Sequence, residues 1–585
     1  MEWRRTRAVG LTLLVLTLSI VSIGKLSLQD AVQTEHSPTK SFIVSASGDA
    51  NAAQLVADMG APVTRDLSII NAVEAELTEP QQRVLSGNPS LSLFPNGVVR
   101  TASVPTGGSK STGHDLAPGA KRLDPGASSV VRRGPWPESH FPVEVGANQL
   151  HERGVTGAKA TVAILDSGLW SRHPTIATDS RGRPRIIAEY NAKSAKTGEH
   201  VDDGTGHGTH LASVIASSQR SQSGIAHGVA PDARLVNIKA FDNDGYGSYG
   251  SVIQGVAWAI AHREKYNIRV LNLSISTEAR SPYWADPLNR VVMMAWHAGI
   301  VVVTSAGNTG PDAMTVEVPG NVPYIITVGA TTDNYTPNDP VDDRLAYFTS
   351  FGPTDDGFAK PDFVAPGGHL LGIMNPSKHL LAKEHPEFAT ETPNLYEMSG
   401  TSQAAAVVSG VVALMIDAEP WLTPNQVKCR LMATARPATD ADGSLAYSVF
   451  QQGTGLINAP AAVASGLVNC ANQGLHLAAD IKGDVHFYGN ARLDADGNYY
   501  IEGDTAFALT GGSPWNDAIA WNDGAPWNDG NYWQDYSAWQ DGNYWNDGNY
   551  WNDGNYWNDG NYWNDGNYWN DGNYWNDGNY WNDGN

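Results

Sequence analysis

Apolar residues recur along this chain with two different periods, and the switches between them mark its elements. Within residues 41–100, Ser41–Ala46 and Val73–Leu77 carry short apolar or alternating patterns that predict strands, and Leu91–Phe94 and Val98–Arg100 read as extended. Ala52–Met59 predicts a helix. A second helix starts at Thr78-Glu79-Pro80, with Thr78 as N-cap and Pro80 in the first turn. The order is βαββαβ-like, that of a small α+β module. From 143 to 470, strands and helices alternate. Thr161–Leu165, Arg234–Ala240, Val270–Ile275, Ile300–Ser305 and Ile325–Ala330 predict strands, and Ser251–His262, Leu288–Ala298 and Gly400–Asp417 predict helices. Strands that are apolar throughout, separated by helices, imply an α/β domain whose parallel sheet is covered on both faces.

The remaining segments have other compositions. Residues 101–142 are rich in Gly, Ser, Pro and Arg and read as a linker, and 471–512 hold short alternating runs that read as a small β unit. Residues 513–585 form a hexapeptide repeat whose mature unit is Trp-Asn-Asp-Gly-Asn-Tyr. Six is an even period, so an extended chain would put every Trp on one face; it is not a helical period. Stacked strand-and-turn units and a loose low-complexity arm both remain open. The tail's role is open too: contact with a surface or glycan through Trp stacking, attraction of divalent cations by its Asp residues, or a solvated spacer.

Net charge is −23, and twelve Asp of the tail account for about half of it, with no Lys or Arg after Arg492. An acidic balance without clustered Lys/Arg argues against nucleic acid as a partner. Arg4, Arg5 and Arg7 precede an apolar run at 8–24, which reads as a signal peptide or a retained N-terminal anchor. Either places the rest of the chain outside the cytoplasm, extracellular or at the cell surface. The two cysteines, Cys429 and Cys470, match no metal spacing. In an exported protein they read as one disulfide, the alternative being two buried thiols.

Three segments carry chemistry: Asp166-Ser167-Gly168, His207-Gly208-Thr209-His210 and Gly400-Thr401-Ser402. A Ser hydroxyl becomes a nucleophile when a His takes its proton, and the His needs a carboxylate to fix its tautomer and stabilise the imidazolium. Asp166 follows a strand, at the carboxyl end of the sheet, where α/β sites lie. His207 and Ser402 each open a helix, and a helix N-terminus offers free N–H groups to a developing oxyanion. Asn308, in the segment Ser305-Ala306-Gly307-Asn308, is the candidate second oxyanion donor.

Here the chain resembles the subtilisin-like (S8) serine peptidases, across roughly residues 41–465. The resemblance rests on AILDSG, GHGTHLA, SAGN and GTSQAA, with GVAPDARL, KPDFVAPG and GTGLINA in support. It implies a subtilisin-like α/β fold and a serine endopeptidase working through an acyl-enzyme. It also implies that residues 41–100 are a ferredoxin-like inhibitory propeptide, similar to inhibitor I9, cut away by the enzyme itself between about 100 and 145. Protein or peptide substrates, and the propeptide, would lie extended between Asp244-Gly245-Tyr246-Gly247 and Ser274-Ile275-Ser276. Tyr249 would shape a distal apolar subsite, and Ser305, Ala306 and Gly307 would line the first pocket. No cofactor is required. Calcium is not placed, because Thr175 stands where the family often has a calcium-binding Asp. The family's Met and Pro-His pair after the nucleophile are replaced by Gln403, Ala406 and Val407. Ser276 stands where Gly is common, which would narrow the first pocket. The competing reading is a catalytically weak binding or adhesion protein that works through its aromatic tail.

Overall fold

The computed structural model describes residues 38–101, 136–333, 343–439, 445–501 and 525–527, apart from 49, 200, 496 and 497. The apolar run at 8–24, most of the linker and nearly all of the repeat tail lie outside the described residues.

The N-terminal module comprises β1 (Thr39–Ala46), α1 (Ala52–Asp58), β2 (Val63–Leu67), β3 (Ala72–Thr78), α2 (Glu79–Ser86) and β4 (Leu91–Pro95). Its sheet has the order β2-β3-β1-β4, with β1 antiparallel to β3 and β4. Thr78 caps α2 in a capping box with Gln81. Val44, Val56, Val73, Ala75, Leu77 and Leu85 form a core of the module's own. Two expectations change. Strand β2 was not legible, because its sequence, VTRDL, is largely exposed at a sheet edge. The extended segment after β4, strand β5 (Val98–Thr101), does not join this sheet at all. It leaves the module through a tight turn in which Gly97 N–H donates to Pro95 O at 2.7 Å.

The large domain is built on β6 (Thr161–Asp166), β7 (Ile186–Asn191), β8 (Lys196–Thr197), β9 (Arg234–Lys239), β11 (Ile268–Leu273), β13 (Val301–Ser305), β14 (Ile326–Thr332), β15 (Arg344–Leu345) and β16 (Phe363–Pro366). The sheet runs β15-β14-β13-β11-β6-β9-β7-β8, and β16 pairs with β14. Its body is parallel, as expected, but β8 and β15 add antiparallel edges, so the sheet is mixed. Short edge strands joined by local turns can reverse direction without a crossover helix. The first strand of the domain, β6, lies between β9 and β11, where the chain order changes direction; ligands bind at the carboxyl ends of strands at such a switch point.

Helices α3 (His207–Ala216) and α6 (Thr401–Ala418) pack together in one layer, and α4 (Tyr249–Ala261) and α5 (Pro287–His297) in another. Helix α6 is long and apolar enough to cross a membrane, but it is buried from Thr401 to Asp417 and packs on β11, β13 and β14. Each of its buried Val, Leu, Ile and Met side chains contributes about 1.5–3 kcal/mol. Its last turn is tied down as well: Asp417 Oδ2 accepts N–H bonds from Thr156 and Gly157 at 3.0 and 2.9 Å.

Helix α7 (Pro424–Thr434) carries Cys429, which is bonded to Cys470. The bridge closes a segment with a sequence separation of 41. Loop-closure entropy for that length is about 4 kcal/mol, on the chain-entropy account. The Cys429→Ala/Cys470→Ala chain is expected to lose stability of that order in urea unfolding, with the folded-state circular dichroism unchanged. An unchanged midpoint would mean that packing alone holds α7.

Residues 471–512 depart from the small β unit read from the sequence. Strands Ala491–Leu493 and Tyr499–Ile501 do pair, but a helix spans Leu477–Lys482. Residues 474–488 belong to a separate unit, in which His486–Tyr488 pairs with Ala525–Trp527.

Candidate active site

Asp166 is the last residue of β6, 1% exposed at the switch point. The chain then turns through Gly168, whose φ of 110° and close approach to the carbonyls of Val201 and Asp202 admit no side chain. Asp166 Oδ1 accepts a hydrogen bond from His207 Nδ1 at 2.8 Å and another from Ser167 N–H at 2.8 Å. His207 is the first residue of α3 and is wholly buried. Its Nε2 is buried with no hydrogen-bond partner among the described residues. With Nδ1–H committed to the carboxylate, Nε2 is the basic nitrogen.

Ser402 sits in the first turn of α6, after Gly400 as N-cap. Helices α3 and α6 pack together, so the imidazole-bearing and hydroxyl-bearing helix starts belong to one layer. The Ser402 carbonyl accepts a bond from Ser274 Oγ at 3.1 Å, which joins the nucleophile's turn to the end of β11. Asn308 follows β13. Its Oδ1 accepts from Thr401 N–H and Thr401 Oγ, both at 2.9 Å. With the carbonyl end of the amide held in this way, the NH₂ end is the donor end. Asn308→Ala is expected to lower kcat about 10²–10³-fold with KM little changed, as measured in steady-state kinetics. A loss seen only in KM would make Asn308 a binding residue.

The side chain that organises this centre was not found in the sequence. Asp203, buried, lies four residues before His207. Its Oδ1 accepts from Ser167 Oγ (2.9 Å), Thr205 N–H (3.0 Å) and Gly206 N–H (2.9 Å). Its Oδ2 accepts from Thr209 N–H (2.9 Å) and Thr209 Oγ (2.7 Å). One carboxylate therefore clasps the loop after Asp166 to the first turn of α3, where the helix N-terminus favours negative charge. Burial by itself would raise the Asp203 carboxyl, but His379 and the donors of Gly206 and Thr209 hold it below the ordinary carboxylate value. The signal available was an Asp just ahead of a helix start, a common cap with no functional mark. Thr401 lay inside a recognised motif, but nothing in the sequence pointed to its hold on Asn308.

The groove beside the centre has the two predicted edges. Strand β10 (Tyr246–Ser248) contains Gly247, with Gly245 just before it, and β12 (Ile275–Ser276) follows Ser274. Between them lies β5, antiparallel to both: Gly247 pairs with Val99, Ile275 with Thr101 and Ser276 with Arg100. Thr101 N–H donates to Gly245 O at 3.2 Å. Val99 is fully buried. The Tyr249 ring packs on Phe94 at 5.0 Å between centroids, and its hydroxyl donates to Asp286 at 3.0 Å. Other contacts of the module meet the domain near the same place. Gly250 N–H donates to Asn96 Oδ1 at 3.0 Å, and Arg65, paired with Glu74 at 2.9 Å, donates to Ala192 O at 2.7 Å. Ser305 Oγ donates to Ile275 O at 3.1 Å, bringing the segment Ser305–Gly307 against β12. Gln403, next to Ser402, is buried, and among the described residues neither of its amide atoms has a hydrogen-bond partner. Among the described residues no group of three or more His, Cys, Asp or Glu could hold a metal ion.

A buried carboxylate–imidazole pair at the switch point of an α/β sheet, with a serine in the first turn of a packed helix, is an arrangement that serine hydrolases use. The subtilase family (Peptidase_S8) matches residues 157–455, and the chain belongs to it. It is 37% identical over 310 residues to serine protease AprX of Bacillus subtilis strain 168, covering 52% of this chain and 66% of AprX. It is 32% identical over 321 residues to subtilisin of Bacillus pumilus, covering 54% of this chain and 96% of that one. Subtilisin E of Bacillus subtilis strain 168 is 27% identical over 466 residues, 78% of this chain and 99% of its own length. The crystal structure of fervidolysin from Fervidobacterium pennivorans has the same fold, with a TM-score of 0.55 at 23% identity over 75% of this chain and 62% of that one. The protein is a subtilisin-like serine endopeptidase.

Proposed function

We propose that the chain is an exported proenzyme that cleaves peptide bonds with Asp166, His207 and Ser402, and that residues 41–100 form the body of its own propeptide. Ser402 Oγ attacks the carbonyl carbon while His207 Nε2 takes the hydroxyl proton, and Asp166 stabilises the imidazolium. The oxyanion is bound by Asn308 NH₂ and the Ser402 N–H. His207 then gives its proton to the leaving amine, and water hydrolyses the acyl-enzyme by the reverse use of the same base. The positive n-region and the apolar run at 8–24 support export.

The observation that carries this reading is β5. Main-chain pairing on both sides holds a strand in the groove whatever its side chains, which is how an extended peptide is bound. The β12 register places Thr101 opposite Ile275, and Ser274, the residue before Ile275, is bonded to the Ser402 turn. Counting on one residue from Thr101 assigns the first cut to the bond after Ala102, itself outside the described residues. Expression of the full chain beside Ser402→Ala tests this. The wild type alone is expected to lose the module and to begin at Ser103 on N-terminal sequencing. Equal processing of both chains, with no casein hydrolysis by either, would sink the proposal.

A further inference from the structure

Residues 489–501 lie beyond the part of the chain that carries the family's motifs, yet they return to the catalytic domain. The chain is tied down first at Cys470, by the bridge to α7, and at Asn472, whose Nδ2 donates to Tyr324 O and to Asn425 Oδ1, both at 3.0 Å. It is tied again at Gly489, whose N–H donates to Asp356 O at 2.8 Å, and at Ala491, whose N–H donates to Gly357 O at 3.0 Å. A Cβ on Gly489 would overlap the Gly357 carbonyl, so the approach of these two backbones admits no side chain. The paired strands Ala491–Leu493 and Tyr499–Ile501 then bring Tyr499 to Met314. The Tyr499 hydroxyl donates to Met314 Sδ at 2.8 Å, and its ring meets Phe450 edge-on at 6.3 Å.

Both segments that this hairpin grips lead to the oxyanion donor. Met314 belongs to the loop that begins at Asn308. That loop is zipped to residues 348–351. Ser350 N–H donates to Gly307 O at 3.0 Å, Gly310 N–H to Phe348 O at 3.0 Å and Thr315 N–H to Phe351 O at 3.1 Å. Thr309 N–H donates to Ser350 Oγ at 3.1 Å. The backing segment continues into a turn closed by Thr354 N–H on Phe358 O at 2.9 Å, and Asp356 and Gly357, the partners of Gly489 and Ala491, are in that turn. The hairpin therefore bonds the loop and its backing segment at the same time.

We propose that Tyr499 is a positioning residue for the reaction: the C-terminal hairpin clamps the loop 308–315 onto residues 348–358 and so fixes where Asn308 presents its NH₂. The inference rests on the peptidase reading above. An oxyanion donor helps only if it is already aimed when charge develops, and a displacement of about 1 Å caused far from the chemistry can cost about 10²-fold. Thr401 holds the carbonyl end of the Asn308 amide, and the hairpin holds the loop that bears it. Its bonds to Met314, Asp356 and Gly357 bear on the oxyanion side of the centre, so its effect falls on kcat.

The test is steady-state kinetics of the full-length chain and its variants on one peptide, with working sites counted by fluorophosphonate titration so that unfolded protein does not enter kcat. Tyr499→Ala is expected to lower kcat about tenfold with KM within about twofold of the wild type. Gly489→Ala, which forces the backbones apart at the hairpin's other anchor, should do the same. The decisive measurement is a double-mutant cycle with Asn308→Ala. Because Tyr499 acts through Asn308, Tyr499→Ala should change kcat less than about twofold once the Asn308 amide is gone, whereas a general loosening of the fold would cost the same in both backgrounds. Tyr499→Phe, which keeps the ring on Phe450 and loses the bond to Met314, takes its place in the cycle if the Ala variant does not fold. An unchanged kcat in Tyr499→Ala, or equal losses with and without Asn308, would overturn the proposal while leaving the peptidase reading intact. If no peptide is cleaved by the wild type, it is the peptidase reading that fails.

Discussion

Ser402→Ala is expected to lower kcat on a peptide substrate by about 10⁶-fold, a magnitude taken from nucleophile loss in the related subtilisins. The geometry explains why so little should remain. Ser402 is wholly buried in the first turn of α6, and its carbonyl is held by Ser274. No neighbouring hydroxyl can take its place without moving that turn. Substrate pairing with β10 and β12 does not use the Ser402 hydroxyl, so KM should stay within a few-fold of the wild type. The residual rate, about 10³–10⁴ above water, would come from bound substrate and the oxyanion donors. Active-site titration with a fluorophosphonate, which phosphonylates the nucleophile and releases fluoride, gives a second readout: one equivalent bound by the wild type and none by the variant. A loss of less than about 100-fold would mean that another group is the nucleophile.

Asp166→Asn is expected to lower kcat by about 10⁴-fold with the fold retained. Asp166 Oδ1 is the acceptor for His207 Nδ1–H, and that bond leaves the proton off Nε2. An amide removes the charge that stabilises imidazolium. Wherever its NH₂ faces Nδ1, it also moves the proton to Nε2, which can then no longer accept from Ser402. Ser167 Oγ also donates to Asp166 Oδ1, but the bonds from Thr205, Gly206 and Thr209 to Asp203 are made without Asp166, so the start of α3 should keep its place. Near-ultraviolet circular dichroism unchanged, with kcat down by four orders, is the expected pair of results. A loss under about 30-fold would show that the carboxylate only positions the ring.

The parts of this protein legible in the sequence were those whose signal is local. Strand β6 ends in its carboxylate within one apolar run, and α3 and α6 begin at their functional residues, so motif and element coincide. Strand β5 is the opposite case. Its extended pattern was visible, but its partners, Tyr246–Ser248 and Ile275–Ser276, lie more than 140 residues away, and periodicity says nothing about which edge a strand will join. Strand β2 was missed because an exposed edge strand needs no apolar alternation. Asp203 is a single carboxylate outside any motif. It acquires meaning only from what the fold brings to it: six hydrogen-bond donors from the loop after Asp166 and the start of α3.

The strand in the groove belongs to the chain that owns the groove. An intramolecular segment tethered through a flexible linker presents itself at an effective concentration of up to the order of millimolar, whatever the protein concentration in the tube. On the propeptide reading proposed above, dilution therefore does not empty the uncut protein's cleft. On that reading a competing peptide of similar intrinsic affinity must reach about the same concentration to enter, and severing the connection turns the occupant into an inhibitor that can diffuse away.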